Sequence, residues 1–237
     1  MKALLPNDTR LPSTTAQSNG TREHIIETAG ALFAKHGRNN LSIRQITSVA
    51  EVNLAAINYH FGSKDGLFYT VCLHYLQKSN DRKIALLDAA EKASGDNPLT
   101  IEQILEAYIR PTVEMHMAKD PSDMLLTRLI VQEIQESDTQ FFDLVCDALR
   151  PIMQRFLTAL KKTFPECGEE DLSWGFLLVA NISHQLMAET EKISRIFPSI
   201  SSIEDTDALV RKVMAFGTAG VRTLTGCRNG SEKNIAA

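Results

Sequence analysis

A run of small and polar side chains from Asn53 to Lys64 is the part of the sequence whose residue types suggest a binding chemistry. It is long enough for one short helix, and Tyr59 and His60 stand at its end, before Phe61. Alanine and asparagine on a helix in a DNA major groove allow close approach and can contact base edges, while tyrosine, histidine and lysine can contact phosphates. The run therefore predicts a short helix that binds DNA.

Helical spacing divides this short helix into two faces. Leu54 and Ile57 are predicted to point inward and hold the helix to the rest of the protein, while the other side faces the groove. Lys64 begins the next helix, where backbone N–H groups also favour a phosphate. The candidate DNA-contacting residues are Ser42, Arg44, Asn53, Ala55, Ala56, Asn58, Tyr59, His60 and Lys64.

Two further helices are predicted to position this one. Apolar residues spaced by three and four predict a first helix over 21–36, which Gly37 ends. Ser42 is a suitable N-cap for a second helix through Ala50, and Asn53 is a suitable N-cap for the third. The second and third helices, joined by a turn near 50–53, make a helix-turn-helix.

Helical periodicity also dominates the rest of the chain. Ser63 is predicted to cap a long fourth helix, and breaks near 95–98, 165–168 and 198–202 separate the helices that follow. The fold class is therefore all-α with about nine helices: a three-helix helix-turn-helix domain that binds DNA, followed by a larger helical domain. The expected divisions are a disordered tail at 1–20, the helix-turn-helix domain at 21–66, the larger helical domain at 67–226 and a loose tail at 227–237.

The distribution of charge agrees with a DNA-binding end on an acidic body. The whole chain carries a net charge of −4. Between Thr21 and Lys64, five basic residues stand against three acidic ones, a net of +2, so the acidic excess lies in the body. This pattern suits a protein that contacts a polyanion with one end and does something else with the other.

Several function classes lack support in the sequence. The four cysteines form no CxxC pair and the six histidines have no metal spacing, so we expect no metal and no cofactor, and a reducing cytoplasm fits. No apolar run reaches the length of a membrane span. There is no nucleophile elbow, phosphate loop or close carboxylate pair in an apolar stretch, so we do not expect an enzyme.

A series of short motifs runs through the N-terminal helices. They are Ile25-Ile26-Glu27-Thr28-Ala29, Leu32-Phe33, His36-Gly37, Leu41-Ser42-Ile43-Arg44-Gln45-Ile46, Val49-Ala50, Val52-Asn53, Asn58-Tyr59-His60-Phe61 and Ser63-Lys64-Asp65-Gly66-Leu67. In order and spacing, these motifs resemble the TetR-type transcriptional regulators over roughly 47 residues, about a fifth of the chain. The stretch 52–64 is also similar to the subgroup that contains fatty-acid-responsive PsrA-type regulators.

The resemblance implies more than the residues alone establish. It implies DNA contacts by the residues that match the family pattern, which are Arg44, Asn53, Tyr59, His60 and Lys64. It also implies a C-terminal domain that binds a small molecule and dimerises through its last two long helices. One departure is Glu51, where the family usually has glycine; we expect a left-handed turn residue there, pointing away from DNA.

The acidic body holds candidates for both implied roles. The predicted helix 171–193 is apolar on too many sides for one core seam, and the last helix presents a small-residue surface that includes Leu209, Val213, Phe216, Gly217, Ala219 and Gly220. Candidates for lining an effector cavity are Met115, His116, Met124, Phe141, Phe142, Trp174 and His184, although methionines and aromatics at helical spacing are more often plain core.

The resulting hypothesis is a homodimeric repressor that binds a palindromic operator in double-stranded DNA. A small, largely apolar effector in the body would shift the long fourth helix and release the DNA. The alternative is a helix-turn-helix protein whose C-terminal body binds a protein partner instead of a small molecule.

Overall fold

The computed structural model describes residues 14–117, 139–188, 193, 195–200 and 205–226. Regular secondary structure in this part of the chain is helical throughout, which confirms the predicted fold class. The helices are α1 (Thr14–His36), α2 (Ile43–Val49), α3 (Leu54–Phe61), α4 (Lys64–Ser94), α5 (Ile101–Met117), α6 (Thr139–Thr163), α7 (Glu169–Ala188) and α8 (Thr206–Leu224). A further helix predicted to start at Asp120, which includes Met124, lies outside the described residues.

The chain divides into two compact units, Met1–Val71 and Cys72–Ala237, and the division falls within α4. In the first unit, Phe33 of α1 meets Phe68 of α4 edge to face, with ring centroids 5.0 Å apart. Leu67 and Val71 are also fully buried. Because the first two turns of α4 contribute to this core, the unit extends beyond the predicted domain boundary at residue 66.

The first helix is longer than the sequence predicts. α1 begins at Thr14, so residues 14–20 are helical where a disordered tail is expected. The expectation is wrong for these residues because extending an existing helix is far easier than nucleating a new one. The extension TTAQSNG contains no proline that would break it, since the nearest one is Pro12.

In the second unit, α5 packs against α6, α7 and α8. The α5 residues Ile104, Leu105 and Ile109 are fully buried there. The helices α5 and α6 continue through Pro111 and Pro151, so neither proline divides its helix. None of the helices in the described part of the chain combines the length and apolar character needed to span a bilayer.

Two ion pairs at the surface also link α8 to α5. Arg110 Nη1 lies 2.9 Å from Asp207 Oδ1, and Arg222 Nη2 lies 2.8 Å from Glu102 Oε1. The hydrogen bond from Arg110 holds the pKa of the Asp207 carboxyl below its usual range. Since these groups are largely exposed, each pair adds little stability, and the apolar core dominates.

The predicted small-residue surface of α8 has two sides. A Cβ built at Gly217 would lie 3.0 Å from Cγ2 of Val179 on α7, so this glycine allows close approach within the protomer. Phe216 is 65% exposed, and a Cβ at Gly220 would meet nothing within 4 Å. The expectation that the whole set faces a second chain is therefore wrong for the members on the packed side of α8, which are Leu209, Val213 and Gly217.

Candidate nucleic-acid interface

The start of α2 is held by a reciprocal pair of hydrogen bonds. Gln45 N–H donates to Ser42 Oγ at 3.3 Å, and Ser42 N–H donates to Gln45 Oε1 at 2.8 Å. This is a capping box, which satisfies two backbone donors that the helix itself leaves unpaired. The pattern Ser-x-x-Gln is visible in the sequence, where we predict only the Ser42 cap.

The turn between α2 and α3 has the geometry that the family glycine would favour. Glu51 has a φ of 53°, and among the described residues it is the one non-glycine with positive φ. Val52 N–H donates to the Thr47 carbonyl at 3.1 Å, which is the long hydrogen bond of a Schellman helix end. The predicted left-handed turn is therefore confirmed at Glu51, where glutamate adopts a positive φ that is unfavourable for a residue with a Cβ.

The third helix is fixed at its start and on one side. Asn53 Oδ1 accepts from Ala56 N–H at 2.8 Å, which confirms the predicted N-cap. Ile57 is fully buried, as predicted, but Leu54 is 50% exposed. The inward prediction is wrong for Leu54 because a helical side chain leans toward the N-terminus, and in the first residue of α3 it extends past the helix end. Phe61 is the second buried anchor of α3.

A tight junction joins α3 to α4. Gly62 ends α3 with a φ of 73°, and Ser63 Oγ accepts from Gly66 N–H at 3.0 Å. A Cβ at Gly66 would lie 2.2 Å from the Phe61 carbonyl oxygen, so a larger residue would force the two helices apart. This close approach places Lys64, the first residue of α4, directly after the end of α3.

None of the nine predicted DNA-contacting residues is buried, so all of them can reach a ligand outside the protein. Ala55, Asn58 and Tyr59 are spaced by three and four and share one exposed side of α3. Tyr59 is 81% exposed, and its ring lies 4.9 Å from the His60 ring, centroid to centroid. The Asn53 oxygen accepts the capping hydrogen bond, and its NH₂ group has two donors for DNA. The DNA contacts of all nine residues stay a prediction.

Sequence reasoning missed the role of Arg38. We count it among the basic residues of the N-terminal end, yet its Nη2 lies 3.0 Å from Asp65 Oδ1 and 3.3 Å from the Tyr69 hydroxyl. Its charge is therefore balanced within the fold and is not offered to a polyanion. Local sequence patterns give no sign of this contact, because Asp65 lies 27 residues away along the chain.

Two residues of α1 also support the helix-turn-helix without being predicted to do so. His24 Nε2–H donates to the Ala50 carbonyl at the end of α2, at 3.2 Å. The guanidinium carbon of Arg22 lies 5.6 Å from the centroid of the Phe61 ring, which is a cation–π distance. α1 therefore fixes the ends of both helices that follow it.

The structure disperses the predicted effector-lining residues. Met115 and Phe141 are buried, whereas Phe142 is 47% and Trp174 52% exposed. His184 is half-buried, and its Nε2 lies 3.4 Å from the Tyr108 hydroxyl. Met124 and the side chain of His116 lie outside the described part. The two exposed aromatics lie on the surface of the protomer, because α6 and α7 are apolar on more than one side.

Two sequence profiles match the chain. Residues 25–71 match the bacterial regulatory proteins of the tetR family, and residues 106–220 match the tetracyclin repressor-like C-terminal domain. Together they cover more than half of the chain. The chain belongs to the TetR family. The first profile covers the same segment, from α1 to the second turn of α4, whose motifs resemble this family in the sequence, so that resemblance is confirmed.

Curated relatives of this TetR-family chain include two repressors. The probable acrEF/envCD operon repressor of Escherichia coli (strain K12) is 42% identical over 125 residues, 53% of this chain and 53% of the relative. The HTH-type transcriptional repressor NicS of Pseudomonas putida is 34% identical over 95 residues, 40% of this chain and 44% of the relative. The chain thus spans about half the length of the curated relatives it matches.

Solved structures share the TetR fold over nearly the whole chain. The fatty acid degradation regulator FadR from Bacillus halodurans superposes with a TM-score of 0.65 and covers 90% of this chain and 99% of its own, at 16% identity. At this identity the likeness shows the fold alone. The similarity to fatty-acid-responsive PsrA-type regulators therefore stays a prediction.

Proposed function

We propose that this TetR-family chain is a homodimeric, ligand-responsive repressor that binds operator DNA through α3. One observation carries the proposal: Tyr59 is 81% exposed on a helix whose opposite side, Ile57 and Phe61, is buried. Such an aromatic contributes little to packing within the protomer, while its hydroxyl suits a phosphate. Two relatives are named as repressors, which supports repression as the direction of control.

Each proposed contact has its own chemical role. The small side of α3 at Ala55 lets the helix enter a major groove, which is about 12 Å wide, and Asn58 offers an amide to a base edge. Tyr59 and Lys64 contact phosphates, which position the protein without reading sequence. In the proposed division of the chain, the first unit, up to Val71, binds DNA, and the second unit, from Cys72, binds the effector and the second protomer.

The DNA contacts are tested with DNA from the region upstream of the chain's own gene. In fluorescence anisotropy, Tyr59→Ala should weaken binding to all sequences by about tenfold or more, since each dimer loses two phosphate contacts. Tyr59→Phe keeps the ring and isolates the hydroxyl. Lys64→Ala should reduce the slope of log affinity against log salt concentration by about one for each half-site. Lys92→Ala, at an exposed lysine at the far end of α4, is the matched control and should leave the slope unchanged. Sequence-independent binding, or none, contradicts the proposal.

Dimerisation through α7 and α8 is supported by an exposed apolar surface on both helices. Trp174, Leu177, Leu178 and Ile182 of α7 are between 36% and 52% exposed, and Phe216 of α8 is 65% exposed. Large exposed apolar patches of this kind mark interaction surfaces. A symmetric dimer would bury both helices and place its two α3 helices about one DNA turn apart, so the operator is a palindrome.

The dimer is tested by sedimentation of the full chain. Phe216→Glu should give a monomer and abolish tight operator binding, because a single protomer makes only half of the DNA contacts. Phe197→Glu, at an equally apolar and exposed position outside α7 and α8, is the matched control and should leave the dimer intact. A Phe216→Glu protein that remains dimeric would show that the interface lies elsewhere.

Release by a small, largely apolar effector completes the proposal. An effector bound in the second unit acts on α4, the helix that belongs to both units. To shift the chain from mostly DNA-bound to mostly released, it must prefer the released state by about 5.5 kcal/mol. Capture of a stoichiometric protein partner, without any small molecule that releases DNA, would favour the alternative in which the body binds a protein.

A further inference from the structure

One lysine is buried inside the second unit. Lys83 of α4 is 3% exposed, and its Nζ lies 4.3 Å from the centroid of the Tyr108 ring on α5. Ser79 and Asn80, one turn before it on the same side of α4, are also buried. Burial lowers the pKa of Lys83 to about 7. A long cationic side chain is almost never fully buried unless it is paired.

The Lys83 ammonium has no acidic partner in the described part of the chain. The arginines there that form ion pairs, such as Arg110 with Asp207 and Arg155 with Asp88, do so near the surface. The ammonium carries three donors, and the face of the Tyr108 ring accounts for at most one of them. An unpaired buried charge is unfavourable, so the side chain is prepared for an anion that the described residues do not themselves supply.

The surroundings of Lys83 combine this one cation with aromatic surface. The Tyr108 ring meets the Phe176 ring edge-on at 4.9 Å and the Phe156 ring at 5.3 Å, and these two phenylalanines stack at 5.4 Å. The Tyr108 hydroxyl lies 3.4 Å from His184 Nε2. A ligand at this place would meet a positive charge and a polar pair beside an apolar wall.

We propose that Lys83 anchors the effector, and that the effector is an amphipathic small molecule with an apolar body and one carboxylate. This inference rests on the proposed function, because it specifies the ligand of the second unit. A carboxylate forms a charge-assisted hydrogen bond with the ammonium, and its negative charge balances the positive charge of the lysine. A single ammonium balances one negative charge, so a monoanion fits better than a phosphate dianion, which would leave a buried charge unbalanced.

The test compares two probes that differ only in the head group. Decanoate and 1-decanol have the same chain, and their binding to the full-length protein is measured by isothermal titration calorimetry. We expect wild type to bind decanoate at least tenfold more tightly than decanol. In Lys83→Met, which keeps the apolar stem, the preference should disappear. Lys78→Met removes an exposed lysine of the same helix that also lies over a tyrosine ring, at 5.7 Å from its centroid, and should behave as wild type.

A second measurement uses wild type alone, so it does not depend on whether the variant folds. At pH 8, titrations in two buffers of different ionisation enthalpy should show proton uptake when decanoate binds and none when decanol binds, because the carboxylate favours the charged ammonium. Equal affinity for the two probes, unchanged decanoate binding in Lys83→Met, or no binding of any straight-chain carboxylate from hexanoate to tetradecanoate would overturn the proposal.

Operator binding separates this inference from the proposed function. If decanoate binds through Lys83 but does not release operator DNA, the site stands and the effector role fails. If another ligand releases the DNA equally well from wild type and Lys83→Met, the repressor stands and the carboxylate anchor fails. A protein that binds no operator at all contradicts the proposed function, whatever the probes do.

Discussion

Replacing Lys83 by methionine should raise the stability of the protein at neutral pH and change how that stability depends on pH. The side chain is 3% exposed, and its Nζ lies over the Tyr108 ring, without a carboxylate partner among the described residues. Methionine has a similar length and no charge. Replacing even a paired buried charge by apolar residues of similar volume often stabilises proteins by about 1–4 kcal/mol, and we expect a gain in that range at pH 7.

The pH dependence follows from the difference between the folded and unfolded lysine. Its pKa falls from 10.5 to about 7 in the folded protein. Between pH 7 and 9 the unfolded chain therefore binds more protons at this residue than the folded one, so the stability of wild type rises with pH. The rise is about 2 kcal/mol over this window, since one pKa unit corresponds to about 1.4 kcal/mol. Lys83→Met lacks this rise in stability, so the difference in stability between variant and wild type becomes smaller by the same amount.

The assay is guanidinium unfolding followed by circular dichroism at pH 7, 8 and 9, at one protein concentration, because dimerisation would make stability depend on concentration. Other titrating groups are common to both proteins and cancel in the comparison. Burial raises the pKa of Tyr108, the ring beside Lys83, well above its usual range and outside the window. Parallel curves for wild type and variant would refute the reasoning, because they would mean that the ammonium is paired and keeps an ordinary pKa.

Further predictions concern local geometry, with the free energy of unfolding as the measurement in each case. Glu51→Gly should stabilise the chain by about 0.5–1 kcal/mol by relieving the positive φ, whereas Glu51→Gln, which keeps the Cβ, should not; equal gains would point to charge instead. Gly217→Val should destabilise by about 1–3 kcal/mol through overpacking against α7, while Ala215→Val on the exposed side should cost less. Ser42→Ala should lose about 1 kcal/mol with the capping box, and Ser48→Ala, exposed within α2, should not.

The helix boundaries that the sequence predicted well are those set by local hydrogen bonds. The caps at Ser42, Asn53 and Ser63 were all predicted from residue type, and each side-chain oxygen accepts from a backbone N–H three residues later. The left-handed residue at Glu51 is expected from the family resemblance, because the family usually has glycine there, and the structure has it with a φ of 53°. These features depend on atoms a few residues apart, so the sequence alone contains the information.

Two predictions at helix ends are wrong for a different reason: the start of α1 and the inward position of Leu54. Both lie at the end of a helix, where periodicity gives the direction of a side chain but not how far the neighbouring structure extends. Leu54 shares a helical face with the buried Ile57, yet it is half exposed. A periodic pattern describes an indefinitely long helix, so it is least informative at the ends.

The sequence by itself determined an all-α chain with a capped helix-turn-helix near its start, because turns, caps and helical stripes form among close neighbours. Only the tertiary structure decided which charges and which sides of α7 and α8 are buried. Those choices depend on distant segments: Tyr108 meets His184 across 76 residues and Arg110 meets Asp207 across 97. For the same reason Lys83 looks in the sequence like any other surface lysine, and its burial beside the Tyr108 ring is visible only in the structure.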